Sequence, residues 1–262
     1  MKLGFDNQDF LTSVALGAVP GNSIMNALGE RETMGTTATG EDISRMNELS
    51  PAPTSTTSIP IPSSSGEQMT FVSEDAADNG TTATGVLTLR MHYIEATNGT
   101  EQTEDITMNG TTAVDTVATN IMFVNDIYTL TVGSNGVAEG HIKVYKKGTA
   151  GLVYNMIAAG GNKSLIPNRM VPSGKKLILK GWHCSEAKGK RVAFRIRSTD
   201  MNGTLIPGVF CFKDVEYINK ESTGELTLNV CVPALSIVKV SGWPDTSDAE
   251  GSCGWWGLLK DA

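Results

Sequence analysis

Along most of the chain, apolar and polar residues alternate with a period of two. In "GVLTLRMHY", residues 85–93, Leu87, Leu89, Met91 and Tyr93 fall on one side, and Thr88, Arg90 and His92 on the other. This is the pattern of a strand with one buried face. The same reading predicts strands near 69–74, 86–95, 101–108, 121–132, 141–146, 152–158, 176–185, 191–198, 208–217, 225–231, 235–241 and 254–260. Helical periodicity is confined to a short stretch around "QDFLTSVAL", residues 8–16. Many short strands joined by turn chemistry predict an all-β protein, a jelly-roll-like β-sandwich spanning residues 67–262.

Residues 1–66 read differently. They hold Gly-rich breaks at "VPGNS" and "TMGTTATGE" and end in "SPAPTSTTSIPIPSSS", residues 50–65, where thirteen of sixteen positions are Ser, Thr or Pro. Such a run has too little apolar surface to offset the entropy of fixing its backbone. Alternating Ile and Pro favours extended, polyproline-like backbone whose N–H and C=O groups stay free for a partner. At about 3.1 Å per residue the run reaches about 50 Å. The expectation is an extended N-terminal arm, ordered by whatever surface it lies on and dispensable to the folding of the sandwich.

The 262 residues carry a net charge of −7, which argues against nucleic acid or an anionic membrane as a partner. The charge is uneven: residues 1–70 hold three cations against eight carboxylates. No export signal is read in the first residues, where Asp6 and Asp9 interrupt the mildly apolar run, and no run is long enough to span a bilayer. "NGT" at Asn79, Asn98, Asn109 and Asn202 is read as turn chemistry.

Candidate chemistry is thin. Cys184, Cys211, Cys231 and Cys253 show no CxxC spacing and are read as buried free thiols. His183 and Cys184 are strand neighbours, so they point to opposite faces and cannot converge on one ion. Glu104 and Asp105 face apart for the same reason. Asp245, Asp248 and Glu250 in "WPDTSDAEGSCGWW" offer oxygen ligands without EF-hand spacing, and a solvated hairpin tip accounts for them better. The nearby Trp243, Trp255 and Trp256 either stack on sugar rings or fill a core or an interface. In "RVAFRIRS", Arg191, Arg195 and Arg197 share one strand face while Val192, Phe194 and Ile196 take the other. Those arginines are either a solvated sheet face or an intersubunit contact for a neighbour's carboxylates. No GxSxG, HExxH, Walker loop or dinucleotide-binding signature occurs, so no catalytic residue, metal ligand or cofactor is assigned.

Several segments, taken in order, resemble structural proteins of tailed bacteriophages: "VPGNSIMNALGERETMG" (19–35), "GEDI" (40–43), "GEQMTFVSEDAADNGTTATGVLTLRMHYI" (66–94), "EQTEDITMNGTTAV" (101–114), "IMFVNDIYTLTVGSNGVAEGHIKVY" (121–145) and "MVPSGKKLIL" (170–179). The resemblance implies a non-enzymatic virion component assembled in the host cytoplasm. Its first implied placement is a capsid decoration or cement protein, a homotrimer bound to the major capsid protein through the arm. Leu3, Phe5, Phe10, Leu11, Ile24, Met25, Ile59 and Ile61 would serve as apolar anchors, with Arg31 and Arg45 beside them. The alternative is a short tail fibre or receptor-binding tail or vertex protein touching host glycan.

Overall fold

The structure is a computed structural model that describes residues 10–201, 204–205, 209–223 and 225–262. It is all-β, as the period-two pattern predicts. The described residues begin with helix α1 (Phe10–Ala15), inside the predicted helical stretch, and run on through β1 (Asn22–Met34) and β2 (Glu41–Asp42). There follow β3 (Met69–Ser73), β4 (Asp78–Asn79), β5 (Thr82–Ala83), β6 (Val86–Glu95), β7 (Glu101–Thr107), β8 (Val114–Asp115), β9 (Ile121–Val132), β10 (Ile142–Lys146) and β11 (Val153–Ile157). The last part holds β12 (Arg169–Met170), β13 (Lys175–Glu186), β14 (Arg191–Ser198), β15 (Asp200–Met201), β16 (Thr204–Leu205), β17 (Cys211–Asn219), β18 (Leu226–Val232), β19 (Ile237–Pro244) and β20 (Ala249–Asp261).

Eight of these strands wrap into a jelly roll. One sheet has the order β1-β20-β13-β18, and the other runs β19-β14-β17 with β2 and β12 sharing the far edge of β19. Counting only β1, β2, β13, β14, β17, β18, β19 and β20, the two sheets read first-eighth-third-sixth and second-seventh-fourth-fifth. That is the double Greek-key order of a jelly roll. The inner faces meet over Met34, Ile43, Trp182, Phe194, Val240 and Trp255, all buried in one cluster. Within this core there is no room for a side chain at Gly251: a Cβ there would sit 2.6 Å from Phe194 and 2.9 Å from Met34.

The second body, residues 66–165, is inserted between the second and third strands of that wrap. Its sheets, β11-β10-β3-β8 and β7-β6-β9, enclose a core of their own around Phe71, Leu89, Met91, Ile127, Ile142 and Val144. Buried Asp78 fixes one end of it, accepting bonds from Ser73 Oγ (2.6 Å) and the backbone N–H groups of Val86 (2.8 Å), Glu139 and Gly140 (3.0 Å each). Met46, Leu49 and Ile59 pack against Val153, Met156 and Ala158 and join the insertion to the N-terminal segment.

Two expectations are corrected. The sandwich does not begin at residue 67, because its first two strands lie within residues 1–66. Nor is the Ser/Thr/Pro run an arm awaiting a partner. The Thr57 carbonyl accepts from Asp42 N–H at 2.7 Å, the Thr56 carbonyl from Arg31 at 2.7 Å, and Thr54 N–H donates to the Gly151 carbonyl at 2.8 Å. Backbone groups at Ser50, Thr54, Thr56, Thr57 and Ile59 thus find partners in the chain's own body, which fixes the run without an outside surface. Asn98 and Asn109 each precede a glycine with positive φ, as turn chemistry requires, while Asn202 lies outside the described residues.

At the start of the insertion, Glu67 accepts from Tyr154 Oη at 2.5 Å and Lys146 Nζ at 2.8 Å. Burial alone would raise the Glu67 pKa, but the bonds from Lys146 and Tyr154 outweigh it and hold the group below the ordinary 4.5. A carboxylate whose folded pKa is depressed adds stability that is present above the unfolded value and drains away as the pH falls through the folded one. The melting-temperature difference between the wild type and Glu67→Gln is therefore expected to be constant above pH 5 and to shrink as the pH drops below about 4.5. Thermal melts between pH 3 and 7 measure it.

Candidate functional site

The alternation in "RVAFRIRS" is realised in β14: Val192, Phe194 and Ile196 are buried in the core while the arginines lie on the outer face. They do not stand free in solvent. The Arg195 guanidinium lies 4.2 Å from the ring centroid of Trp243 and 4.8 Å from that of Phe212, whose own rings meet edge to face at 6.2 Å. Arg197 sits 5.0 Å from Trp243 and 5.4 Å from Phe210. Arg191 covers Tyr217 at 5.3 Å. Aromatic faces attract cations, more so where water is thin. The sheet face is therefore a ladder of alternating cations and rings.

At one end the ladder turns inward onto Asp42. Its Oδ1 accepts from Ser241 Oγ at 2.6 Å and faces Arg197 at 3.4 Å. Oδ2 accepts from Lys239 Nζ and from Ile59 N–H, each at 2.9 Å. Both side chains of the Asp42–Lys239 pair are buried, with 3% and 7% exposed. Burial pushes the pKa values of Lys239 and Arg197 down and Asp42 pulls them back up, while Arg197 repels the Lys239 charge and Arg195 that of Arg197. Two cations thus share one carboxylate. The neighbouring Glu41 is already matched, by Arg31 at 2.8 Å and by Gly35 N–H at 3.0 Å.

The cluster opens onto a cleft of about 350 Å³, lined by Asp42, Lys239 and Arg197, by the apolar Ile59, Ile61 and Phe210, and by the hydroxyl-bearing Thr39 and Ser58. The wall is the stretch "SIPIP" itself. Gly40, with φ of 71°, closes one corner where the Trp243 ring occupies the place a side chain would take. Lys239 also lies 4.2 Å from the Phe210 ring centroid. Arg197 Nε has no hydrogen-bond partner among the described residues.

A second surface lies on the opposite sheet. The outer face of β1 carries Ile24 and Leu28, next to Trp256 of β20, and α1 lies over one side through Leu11 and Ala15. The groove between them holds about 590 Å³. Leu28 is 51% exposed, and α1 and its C-terminal end add Phe10 at 50% and Leu16 at 72%.

The expected anchors divide accordingly. Leu11 and Ile24 line this groove, Phe10 is exposed on α1, and Ile61 lines the cleft. Met25, Arg31 and Ile59 are buried in the chain's own fold and are not available to a capsid. Arg45 is engaged by Glu32 at 2.8 Å and Glu48 at 2.7 Å. Leu3 and Phe5 lie outside the described residues. His183 is exposed in the groove, whereas Cys184 points into the core, where burial pushes its thiol up to about 12. Cys253 is also buried, but Cys211 is half-buried and Cys231 exposed, so the reading of four buried thiols holds for two. Asp245, Asp248 and Glu250 face Arg191 and Lys188, and no metal-binding cluster of His, Cys, Asp or Glu occurs among the described residues. Trp255 is core and Trp243 is clamped by arginines, so neither offers a free ring to a sugar.

Sequence reasoning missed Asp42, Lys239 and Phe210. Lys239 had a signal: it is the one charge in "SIVKVSG", a run otherwise suited to the interior.

No family model matches the chain, and no curated protein matches it. A solved structure of infectious bursal disease virus, Gt strain, aligns with 97% of this chain and 83% of its own at 8% identity, with a TM-score of 0.18. An overlap that low carries no argument about fold or function.

Asp42→Asn leaves Lys239 and Arg197 buried without a counter-charge, and a loss of about 3–5 kcal/mol in unfolding free energy is expected. Adding Lys239→Met to the same chain should restore part of it. Urea unfolding of the two variants measures both effects.

Proposed function

We propose that this chain is a structural component of a tailed-phage virion, a capsid decoration protein that seats on the major capsid protein as a homotrimer. The resemblance of its ordered segments to phage structural proteins supports the virion class. The placement rests on one observation, the apolar groove that Leu28 and Ile24 of β1 form with Leu11 and Ala15 of α1, with Leu28 half exposed. Large apolar side chains gathered in one exposed patch are characteristic of an interaction surface. In this reading the anchor is a folded sheet face with its helix, in place of the extended arm expected from composition. The jelly roll would bear on the lattice, and the inserted sandwich would supply further surface.

Two measurements test the proposal. Quantitative mass spectrometry of purified particles should find hundreds of copies per particle relative to the major capsid protein, whereas a few to a few dozen copies would move the chain to the tail or a vertex. Leu28→Asp, on an exposed position, should keep the wild-type melting temperature and lower particle binding about tenfold or more, since central apolar anchors carry most of an interface's affinity. Full binding by that variant would remove β1 from the interface.

A further inference from the structure

The cluster of Asp42, Lys239 and Arg197 holds one positive charge more than its carboxylate neutralises, and it does so at the bottom of an open cleft. A buried excess charge is costly unless an opposite charge meets it. Among the described residues, Asp42 is the carboxylate that acts on both cations, with no second one beside it. Glu41 is taken by Arg31, whose charge it balances, and Arg195 adds to the positive charge felt by Arg197. Lys239 has more than nine-tenths of its side chain buried and lines the cleft, and Arg197 Nε has no hydrogen-bond partner among the described residues.

We propose that this cleft is a binding site for a small hydroxylated carboxylate, of the class of a sugar acid. Its carboxylate would meet Arg197 and Lys239, its hydroxyls Thr39 and Ser58, and its apolar ring face Ile61 and Phe210. Three features choose this class. A single negative charge balances the cluster, whereas a dianion would reverse its sign. The volume of about 350 Å³ lies at the lower end of small-organic-ligand pockets and is far larger than a lone inorganic ion fills. The walls are apolar on one side and hydroxyl-bearing on the rim, which suits an amphipathic ring. The site is independent of where in a particle the chain resides, because all its residues come from the body of one jelly roll.

The test is a titration of the full chain with glucuronate, followed by amide NMR, with glucose and inorganic phosphate as parallel probes. Glucuronate should bind with a dissociation constant of about 1 mM or tighter, and shift the amide resonances of residues 39–42, Ser58, Ile59, Ile61 and Lys239. Glucose should leave them in place. Lys239→Met should weaken glucuronate binding about tenfold or more, the effect of removing a charged partner. Ile61→Glu adds a repelling charge on the exposed rim without touching the buried cluster, and should do the same while keeping the wild-type melting temperature. The proposal fails if glucose binds as tightly as glucuronate, if phosphate binds at least as tightly, if no probe moves these resonances, or if Ile61→Glu binds glucuronate like the wild type.

Discussion

The antiparallel pairing of β1 with β20 is the constraint on which the rest of the structure depends. It runs from Asn22 opposite Lys260 to Arg31 opposite Gly251, with a bulge before Met34 meets Ala249. This ladder joins the first long strand of the chain to the last, so the jelly roll closes only when both ends are in place. It sets which residues of β1 face inward: Met25, Ala27, Gly29, Arg31 and Met34. A slip of one residue would put Ile24 and Leu28 into the core and Arg31 into solvent. Because the wrap is closed by its termini, a whole second sandwich can be inserted between the second and third strands without breaking it.

A polar cluster fixes what the apolar core leaves free. β2 is only two residues long and cannot hold its place by ladder bonds alone. Asp42 anchors it through Ser241 and Lys239 on β19, and the same carboxylate accepts from Ile59 N–H. Arg31 ties Glu41, the Asp42 carbonyl and the Thr56 carbonyl together. Such buried ion pairs contribute little net stability against an apolar replacement, but breaking one side is costly. Their effect is to select a single position for the Ser/Thr/Pro run, which then forms the wall of the cleft. The site is thus a by-product of how the edge of the jelly roll is sealed.

Much of this was legible in the sequence. Each of the predicted strands has a counterpart, because alternation such as that of Leu89, Met91 and Tyr93 is a direct imprint of a half-buried sheet. The face carrying Arg191, Arg195 and Arg197 followed from the same rule. β1 escaped because its inward positions include Ala27, Gly29 and Arg31, small or charged residues that do not read as a core. Gly29 is there because Pro167 and Ile43 crowd its Cα, and Arg31 because it has four oxygen partners to meet. Neither fact is local in sequence. The Ser/Thr/Pro run was misjudged for a related reason: composition reports how much surface a segment can bury, not how many backbone groups distant residues will satisfy. Asp42 and Lys239 are 197 positions apart, and only the closed wrap brings them together.

The claim that residues 22–61 are part of the jelly roll can be tested by amide hydrogen exchange on the isolated protein, without any particle present. Protection of the inward-bonded amides of residues 22–34 equal to that of residues 249–261 is the predicted result, since the two strands share one ladder. Rapid exchange across 22–34, with 249–261 still protected, would contradict it and return this segment to the status of an arm.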